Sequence, residues 1–212
     1  MTEEELAEMI GQMVKDTLEQ MNSQPRIPIG VSNRHIHLSP EAVERLFGSK
    51  DALTQMKELS QPGQFACNET VTLIGPKGTI ERVRILGPAR GETQVEISLF
   101  DGFTLGVNPP IRDSGDIEGT PGIVIQGPRG QLTISKGVIA AARHIHMHTS
   151  DAALFGVSNG DRVKIQIEGP RGMILDNVLI RVSEKYRLEM HIDLDEANAG
   201  HIKNGQTGIL LK

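Results

Sequence analysis

The sequence has no tryptophan, one cysteine and few aromatic residues, and these shortages exclude several classes of protein. Cys67 has no second cysteine to pair with, which is typical of a reducing compartment and not of a disulfide-rich secreted domain. No apolar run approaches the roughly 20 residues that span a bilayer. The first residues, MTEEELAEM, are acidic where a signal peptide is basic. The net charge of −5 argues against nucleic acid as a partner.

Glycine and proline are abundant instead, at 23 and 11 positions. They separate short stretches of alternating apolar and polar residues, such as TVTLIG at 70–75 and TQVEISLF at 93–100, and this alternation predicts β-strands. After residue 28, helices are predicted only as short interruptions, for example at 39–48, which begins with serine and proline and ends with glycine. We therefore expect a mainly β protein built as small barrels or sandwiches.

The first 21 residues differ from the rest of the chain, because their apolar residues recur with helical spacing. The predicted apolar stripe consists of Leu6, Met9, Ile10, Met13, Val14, Leu18 and Met21. A polar, proline-containing linker, NSQPRIP at 22–28, separates this helix from the first predicted strand. Two roles are open for the stripe: packing on the chain's own domain, or docking onto another protein.

An imperfect internal repeat divides the remainder of the chain. RHIHL at 34–38 returns as RHIHM at 143–147, so these two copies hold four of the seven histidines. The stretch GPKGTIERVRI similarly resembles GPRGMILDNVLI further along the chain. Aligning TQVEIS with LEMHID places Glu96 opposite His191. The repeat predicts two related β units, each of which begins near a His-x-His pair.

Each His-x-His pair has the spacing of two metal ligands. Alternate residues of a strand face the same side, so His35 and His37 point together while Ile36 points away. Glu96 and His191 stand at matching positions in apolar surroundings, where a buried polar group needs a partner. Catalytic zinc is held by three protein ligands. The predicted sets are His35, His37 and Glu96 in the first half and His144, His146 and His191 in the second; solvated or hydrogen-bonded histidines are the alternative.

Three further side chains of metal-binding or nucleophilic type are expected to have structural roles. His148 precedes a short predicted helix, opposite Ser39 of the first copy, so a surface or capping role is favoured over metal binding. His201, beside a glycine near the end of the chain, is interpreted in the same way. A buried free thiol is favoured for Cys67 over a nucleophile.

Basic residues supply the second group of candidates. Arg90 lies in the loop GPARGET, six residues before Glu96, where a guanidinium is suited to bidentate contact with phosphate or carboxylate. A surface ion pair is the alternative for this residue. Lys77 in GPKG, with Arg82 and Arg84 nearby, adds positive charge, but a solvated turn lysine explains it equally well. No Walker loop, GxSxG elbow or Rossmann fingerprint occurs.

The segments IPIGVSNRHIHLS, GPARGETQVEIS and ARHIHM together resemble the phosphate propanoyltransferases of propanediol-utilisation microcompartments, and the resemblance covers residues 25–212. It implies two small related antiparallel β-barrels with short capping helices. It also implies two zinc ions per chain and reversible transfer of an acyl group between coenzyme A and phosphate. By position it implies the metal ligands given above, Arg90 as the catalytic and phosphate-binding residue, and coenzyme A contacts at Val31, Ser32, Asn33, Lys77, Arg84 and Asn198.

The resemblance further implies that the two barrels are interleaved in sequence. One barrel would contain residues 25–33 and 142–212, and the other residues 34–141. Residues 1–24 look like the helix and linker of an encapsulation peptide. This implies a place in the lumen of a bacterial microcompartment in the cytoplasm, with residues 1–21 contacting the shell or lumen enzymes. A homo-oligomer is expected, and neither nucleic acid nor a membrane is an expected partner.

The function expected from these features is that of a zinc-dependent phosphate acyltransferase. Two other classes would use the same residues: a dinuclear metallohydrolase that activates water, and a metal-stabilised scaffold protein of the microcompartment. Binding of coenzyme A separates the first class from the other two. The sequence does not distinguish acetyl from propanoyl, because one methylene is worth only about 1–3 kcal/mol in a pocket.

Overall fold

The computed structural model describes residues 2–23 and 25–211, and within the first helix it describes the side chains of residues 5–16. The helices are α1 (Glu3–Ser23), α2 (Pro40–Phe47), α3 (Leu99–Leu105), α4 (Thr149–Phe155) and α5 (Leu194–Gly200). None of the helices in this described part combines the length and the apolar character needed to cross a membrane.

Short strands make up most of the remaining regular structure. In chain order they are β1 (Arg26–Ser32), β2 (His35–His37), β3 (Gln55–Glu58), β4 (Phe65–Ile74), β5 (Thr79–Gly87), β6 (Gln94–Glu96), β7 (Ile111–Arg112), β8 (Ile123–Gly127), β9 (Gly130–Ile134), β10 (Val138–Ala141), β11 (His144–Met147), β12 (Arg162–Ile167), β13 (Met173–Val182), β14 (Glu189–Asp193) and β15 (Thr207–Leu211). The expectation of a mainly β fold is confirmed.

The strands form one closed barrel and one open sheet. The closed barrel has the order β1-β14-β11-β13-β12-β15, and the open sheet has the order β7-β10-β6-β2-β5-β4-β8-β9, with β3 paired to β4. The strands are not antiparallel throughout, since β1 runs parallel to β14, β11 to β13, and β2 to β5. Long connections join these partners, and such connections permit parallel pairing where a tight hairpin does not.

Each sheet buries its own apolar core. The core of the open sheet includes Ile36, Val71, Leu73, Ile85, Val95 and Ile125. The core of the closed barrel includes Ile29, Ile145, Ile165, Val178, Ile180 and Met190. Strand β1 belongs to the second core, because it pairs with β14 and β15 and places Ile29 beside Met190. The domain boundaries at 1–24, 25–33 with 142–212, and 34–141 stay a prediction, which this strand membership supports.

The same strand arrangement occurs in both sheets. Strand β2 lies between β5 and β6, and β11 lies between β13 and β14. His35 stands opposite Glu96 across one antiparallel pair, and His144 stands opposite His191 across the other. The alignment of Glu96 with His191 in the sequence is therefore reproduced in the strand register.

Helix α1 begins with reciprocal capping bonds. The Glu5 backbone N–H donates to Thr2 Oγ1 at 3.2 Å, and the Thr2 backbone nitrogen donates to Glu5 Oε2 at 2.8 Å. The apolar stripe is exposed over Leu6, Met9, Ile10, Met13 and Val14, with relative exposures of 40–61%. The side chains of Leu18 and Met21, also assigned to the stripe, lie outside the described residues.

Candidate active site

The two His-x-His strands turn their histidines away from the apolar cores. Ile36 and Ile145 are completely buried in their respective cores, while the flanking histidines face the other side of each strand. The ring centroids are 5.1 Å apart for His35 and His37. Alternation along a strand thus brings each pair of imidazoles together.

A first cluster, the Glu96 triad, consists of His35, His37 and Glu96. Their potential ligand atoms all lie within 4.8 Å of one another. His35 Nε2 is 3.3 Å from Glu96 Oε2, and His37 Nε2 is 3.8 Å from Glu96 Oε1. Burial opposes ionisation of Glu96, but the adjacent His35 and His37 hold its pKa well below the usual range. A buried carboxylate therefore faces two imidazole nitrogens.

A second cluster, the His191 triad, consists of His144, His146 and His191. Their potential ligand atoms also lie within 4.8 Å of one another. Burial, together with neighbouring positive charge, lowers the pKa of His146 to about 2 and that of His191 to about 3. Neutral imidazoles are the form in which histidine binds a metal.

Backbone carbonyls orient one histidine in each triad in the same way. His35 Nδ1 lies 2.8 Å from the Asn33 carbonyl oxygen, and His144 Nδ1 lies 2.8 Å from the Ala142 carbonyl oxygen. When Nδ1 donates its hydrogen to the carbonyl, the Nε2 lone pair is left for another partner. Metal-binding histidines commonly have this kind of support.

Several buried ring nitrogens in the triads have no hydrogen-bond partner among the described residues. They are His37 Nδ1, His146 Nδ1 and His191 Nε2; the last lies 3.2 Å from Glu189 Oε2, but without the geometry of a hydrogen bond. Buried polar atoms are rarely left unpaired in native proteins. Imidazole nitrogens together with a carboxylate are donors that zinc prefers. Both triads therefore fit a divalent metal ion.

A second polar residue supports the third member of each triad. Gln94 Nε2 donates to Glu96 Oε1 at 2.6 Å, and the Ser114 hydroxyl donates to the same oxygen at 2.9 Å. In the closed barrel, Glu189 takes the position of Gln94 and places Oε2 at 3.2 Å from His191 Nε2. An amide thus lies beside the carboxylate, and a carboxylate lies beside the imidazole.

The arginine before each His-x-His pair ties the strand to a helix. Arg34 pairs with Asp101 at 2.7 Å, and Arg143 pairs with Glu196 at 3.1 Å. Both acids are also capping-box residues in the first turns of α3 and α5, the helices that follow Glu96 and His191. The two ion pairs therefore fix each histidine strand relative to the strand that carries the third residue of its triad.

Both triads open onto one cavity of about 810 Å³. The cavity is lined by residues of both sheets, including Val31, Ser32, Asn33, Arg84, Arg90 and all six triad residues. Arg84 donates through Nη1 to the carbonyl oxygens of Cys67 and Asn68. The structure thus brings together the predicted metal ligands, Arg90 and four of the six residues predicted to contact coenzyme A.

The structure does not bring Lys77 and Asn198 to the lining of this cavity. The Lys77 side chain lies beside Gly106, at the end of α3. Asn198 lies in α5, where its carbonyl oxygen accepts a hydrogen bond from Arg171 at 3.4 Å. Their proposed contacts with coenzyme A stay a prediction.

The remaining candidates have the structural roles expected of them. His148 is the N-cap of α4, and its side chain accepts a hydrogen bond from the Ser150 backbone. His201 is the C-cap of α5, in the left-handed conformation with φ 51°. Cys67 is buried, and burial raises the pKa of its thiol to about 11, so the unreactive thiol form predominates at neutral pH.

Sequence reasoning missed Arg181 and Tyr186, which also line the cavity. Arg181 stands beside His146 in the β11–β13 pair, where the open sheet has Leu86 beside His37. The sequence signal for Arg181 was that the first copy of the repeat has a leucine, Leu86, where the second copy has this arginine. Tyr186, the only tyrosine of the chain, packs against His146 with ring centroids 4.3 Å apart.

Comparison with known proteins identifies the kind of chemistry. A protein-family model described as phosphate propanoyltransferase matches residues 28–203. A phosphate propanoyltransferase of Thermotoga maritima is 58% identical over 193 residues, covering 91% of this chain and 92% of that protein. One from Alkaliphilus metalliredigens is 51% identical over 213 residues and 100% of both chains. One from Salmonella typhimurium is 52% identical over 198 residues and 93% of both chains.

The matched range contains both triads and Arg90, and the chain is an enzyme of the acyltransferase class. It belongs to the phosphate propanoyltransferase family. The family resemblance deduced from the sequence motifs is therefore confirmed.

Proposed function

We propose that this enzyme is a zinc-dependent phosphate acyltransferase, which moves a propanoyl or acetyl group reversibly between coenzyme A and inorganic phosphate. The observation that carries the proposal is the shared cavity, which is lined by Arg90 and by two triads that could each hold a metal ion, in a chain of this family. In the forward direction, a phosphate oxygen bonds to the acyl carbon as the carbon–sulfur bond breaks. Acyl phosphate, the thiolate of coenzyme A and a proton are the products.

One zinc ion would be held by His35, His37 and Glu96, and another by His144, His146 and His191. Bound zinc would supply Lewis-acid stabilisation for the negative charge that develops on the thioester carbonyl oxygen. The partly buried Arg90 would bind phosphate and direct it at the acyl group. Its guanidinium has no hydrogen-bond or ion-pair partner among the described residues, so it is available to an anion.

The chain's own residues favour direct transfer without an acyl-enzyme. Cys67 is buried with a raised pKa, so its thiol is unsuited to nucleophilic attack. Coenzyme A would lie along the cavity, with contacts proposed at Val31, Ser32, Asn33, Lys77, Arg84 and Asn198.

A microcompartment lumen is the proposed location, with α1 as the contact to shell or lumen enzymes. The exposed apolar stripe from Leu6 to Val14 supports this role, because a solvent-facing stripe is suited to docking. A homo-oligomeric state also stays a prediction.

Metal analysis combined with thiol release tests the proposed activity. Elemental analysis should give about two zinc ions per chain. Thiol release from acetyl-CoA and propanoyl-CoA should require both phosphate and metal. Release that does not need phosphate would indicate a metallohydrolase, and no release with either substrate would favour a scaffold protein. The ratio of kcat/KM for the two thioesters would identify the preferred acyl group.

A further inference from the structure

Arg181 is a charged residue of the cavity to which no role has been assigned so far. It lies on β13 of the closed barrel, beside His146, and it lines the same cavity as Arg90, which lies in the loop between β5 and β6 of the open sheet. Both residues are half-buried. The corresponding position in the open sheet is Leu86, so the fold itself does not require a charged residue there.

Neither guanidinium forms an ion pair or a hydrogen bond with the part of the chain that the structure describes. Among the described residues, the side chains of Arg90 and Arg181 have no carboxylate within 4.0 Å and no hydrogen-bond partner. Other arginines of the cavity differ, since Arg34 pairs with Asp101 and Arg84 donates to carbonyl oxygens. Leaving a half-buried charge unpaired is costly unless a ligand completes the site.

The two unpaired charges also affect each other and their surroundings. Burial lowers the pKa of Arg90, the nearby Glu96 carboxylate opposes this by raising it, and the positive charge of Arg181 lowers it again. The two guanidiniums therefore repel each other, and an anion bound between them would reduce this repulsion.

We infer that Arg181 is a second phosphate-binding residue, which holds inorganic phosphate, and the same group of acyl phosphate, together with Arg90. This inference rests on the proposed function and deepens it. A phosphate dianion matches two guanidiniums in charge, and each guanidinium offers paired donors to its oxygens. Arg181 from the closed barrel and Arg90 from the β5–β6 loop would thus fix the nucleophile between the two triads.

The phosphate groups of coenzyme A have the same chemistry as inorganic phosphate, and Arg181 could contact either one. Kinetic measurements distinguish these two ligands. With metal-loaded enzyme, Arg181→Ala should raise the phosphate KM about 10- to 100-fold, the effect of losing one charge-assisted hydrogen-bonding group. The KM for acyl-CoA and the zinc content should stay unchanged. Arg181→Lys should give a smaller increase, because it retains the charge but not the fork of donors.

Arg162→Ala provides a matched control. Arg162 is an exposed guanidinium on β12 of the same barrel and does not line the cavity. Its removal should leave both KM values unchanged. Melting temperatures of all variants show whether each one is folded, and Arg181→Lys carries the test if the alanine variant is not.

A double variant tests whether both arginines hold the same anion. If Arg90 and Arg181 share one phosphate, the double alanine variant should raise the phosphate KM by less than the product of the two single increases. A double variant with the phosphate KM of Arg90→Ala alone would show that Arg181 makes no contribution to phosphate binding and would overturn the inference. An increase only in the KM for acyl-CoA would also overturn it, because Arg181 would then serve coenzyme A.

Direct binding separates this inference from the proposed reaction. Inorganic phosphate can be titrated calorimetrically into the metal-loaded protein without any thioester, at constant ionic strength. Weaker binding in Arg181→Ala supports the inference even if the wild-type protein transfers no acyl group. Unchanged phosphate binding and phosphate KM in an active enzyme would overturn the inference and leave the proposed function intact.

Discussion

Gln94 provides a sensitive test of the proposed metal site at Glu96. Its amide donates to Glu96 Oε1 at 2.6 Å, and Glu96 is otherwise oriented by Ser114 and the two histidines. A hydrogen bond to a charged group contributes about 1.5–3 kcal/mol, and loss of such support weakens metal binding by about 10- to 100-fold. Because Ser114 still holds the same oxygen, we expect Gln94→Leu to weaken zinc binding at this triad by about tenfold, near the lower limit of that range.

The assay is zinc release to a graded series of competing chelators, followed by elemental analysis of the protein. From the Gln94→Leu protein, one equivalent of zinc should be removed by a chelator with about tenfold lower zinc affinity than wild type requires. The other equivalent should be released as in wild type. Glu189→Gln should weaken the second equivalent instead, because Glu189 lies beside His191. Gln131→Leu, the same substitution at an exposed position of the open sheet, should change neither. The reasoning would be refuted if both zinc equivalents left the Gln94→Leu protein more easily to the same extent. It would also be refuted if both were released as in wild type.

Three further predictions concern the ligands, the core and the first helix. His37→Ala and His146→Ala should each lose about one zinc ion and most activity; full activity in chelator-treated, metal-free protein would contradict this. Ile145→Val should lower the free energy of unfolding by about 0.5–1.5 kcal/mol with unchanged zinc content, measured by denaturant titration, and a loss of zinc would show that the strand faces are coupled. Deleting residues 1–24 should leave melting temperature and specific activity unchanged, and a fluorescent protein fused to that segment should enter microcompartments; a large fall in melting temperature, or a diffuse fusion, would instead indicate a helix with a structural role.

Much of the site could be predicted from the sequence, because strand geometry is simple. A period of two places the histidines of His-x-His on one face, and the structure buries Ile36 and Ile145 on the other. The repeat then placed Glu96 opposite His191, and each residue lies beside a His-x-His pair in the structure. Local spacing and internal symmetry were enough for these groups.

The supporting residues depend on pairings that are distant in the sequence. In the sequence, Gln94 is only one of the polar residues that alternate along a predicted strand. The register that places it opposite His37, and its hydrogen bond to Glu96, become visible only in the structure. Arg181 was missed for a related reason, because only the pairing of β11 with β13 places it beside His146. The parallel pairs were not foreseen either, because alternation of residues is the same in parallel and antiparallel strands.

The place of β1 in the closed barrel has a consequence for how the chain folds as it is synthesised. All strands of the open sheet lie within residues 35–141, so they leave the ribosome before most of the barrel exists. Strand β1 leaves earlier still, yet its partners β14 and β15 are the last strands to be made. It must stay unpaired through nearly the whole of translation, and the barrel closes only at the end, through contacts of high sequence separation. Because the cavity is lined by both sheets, it is completed at that same final step.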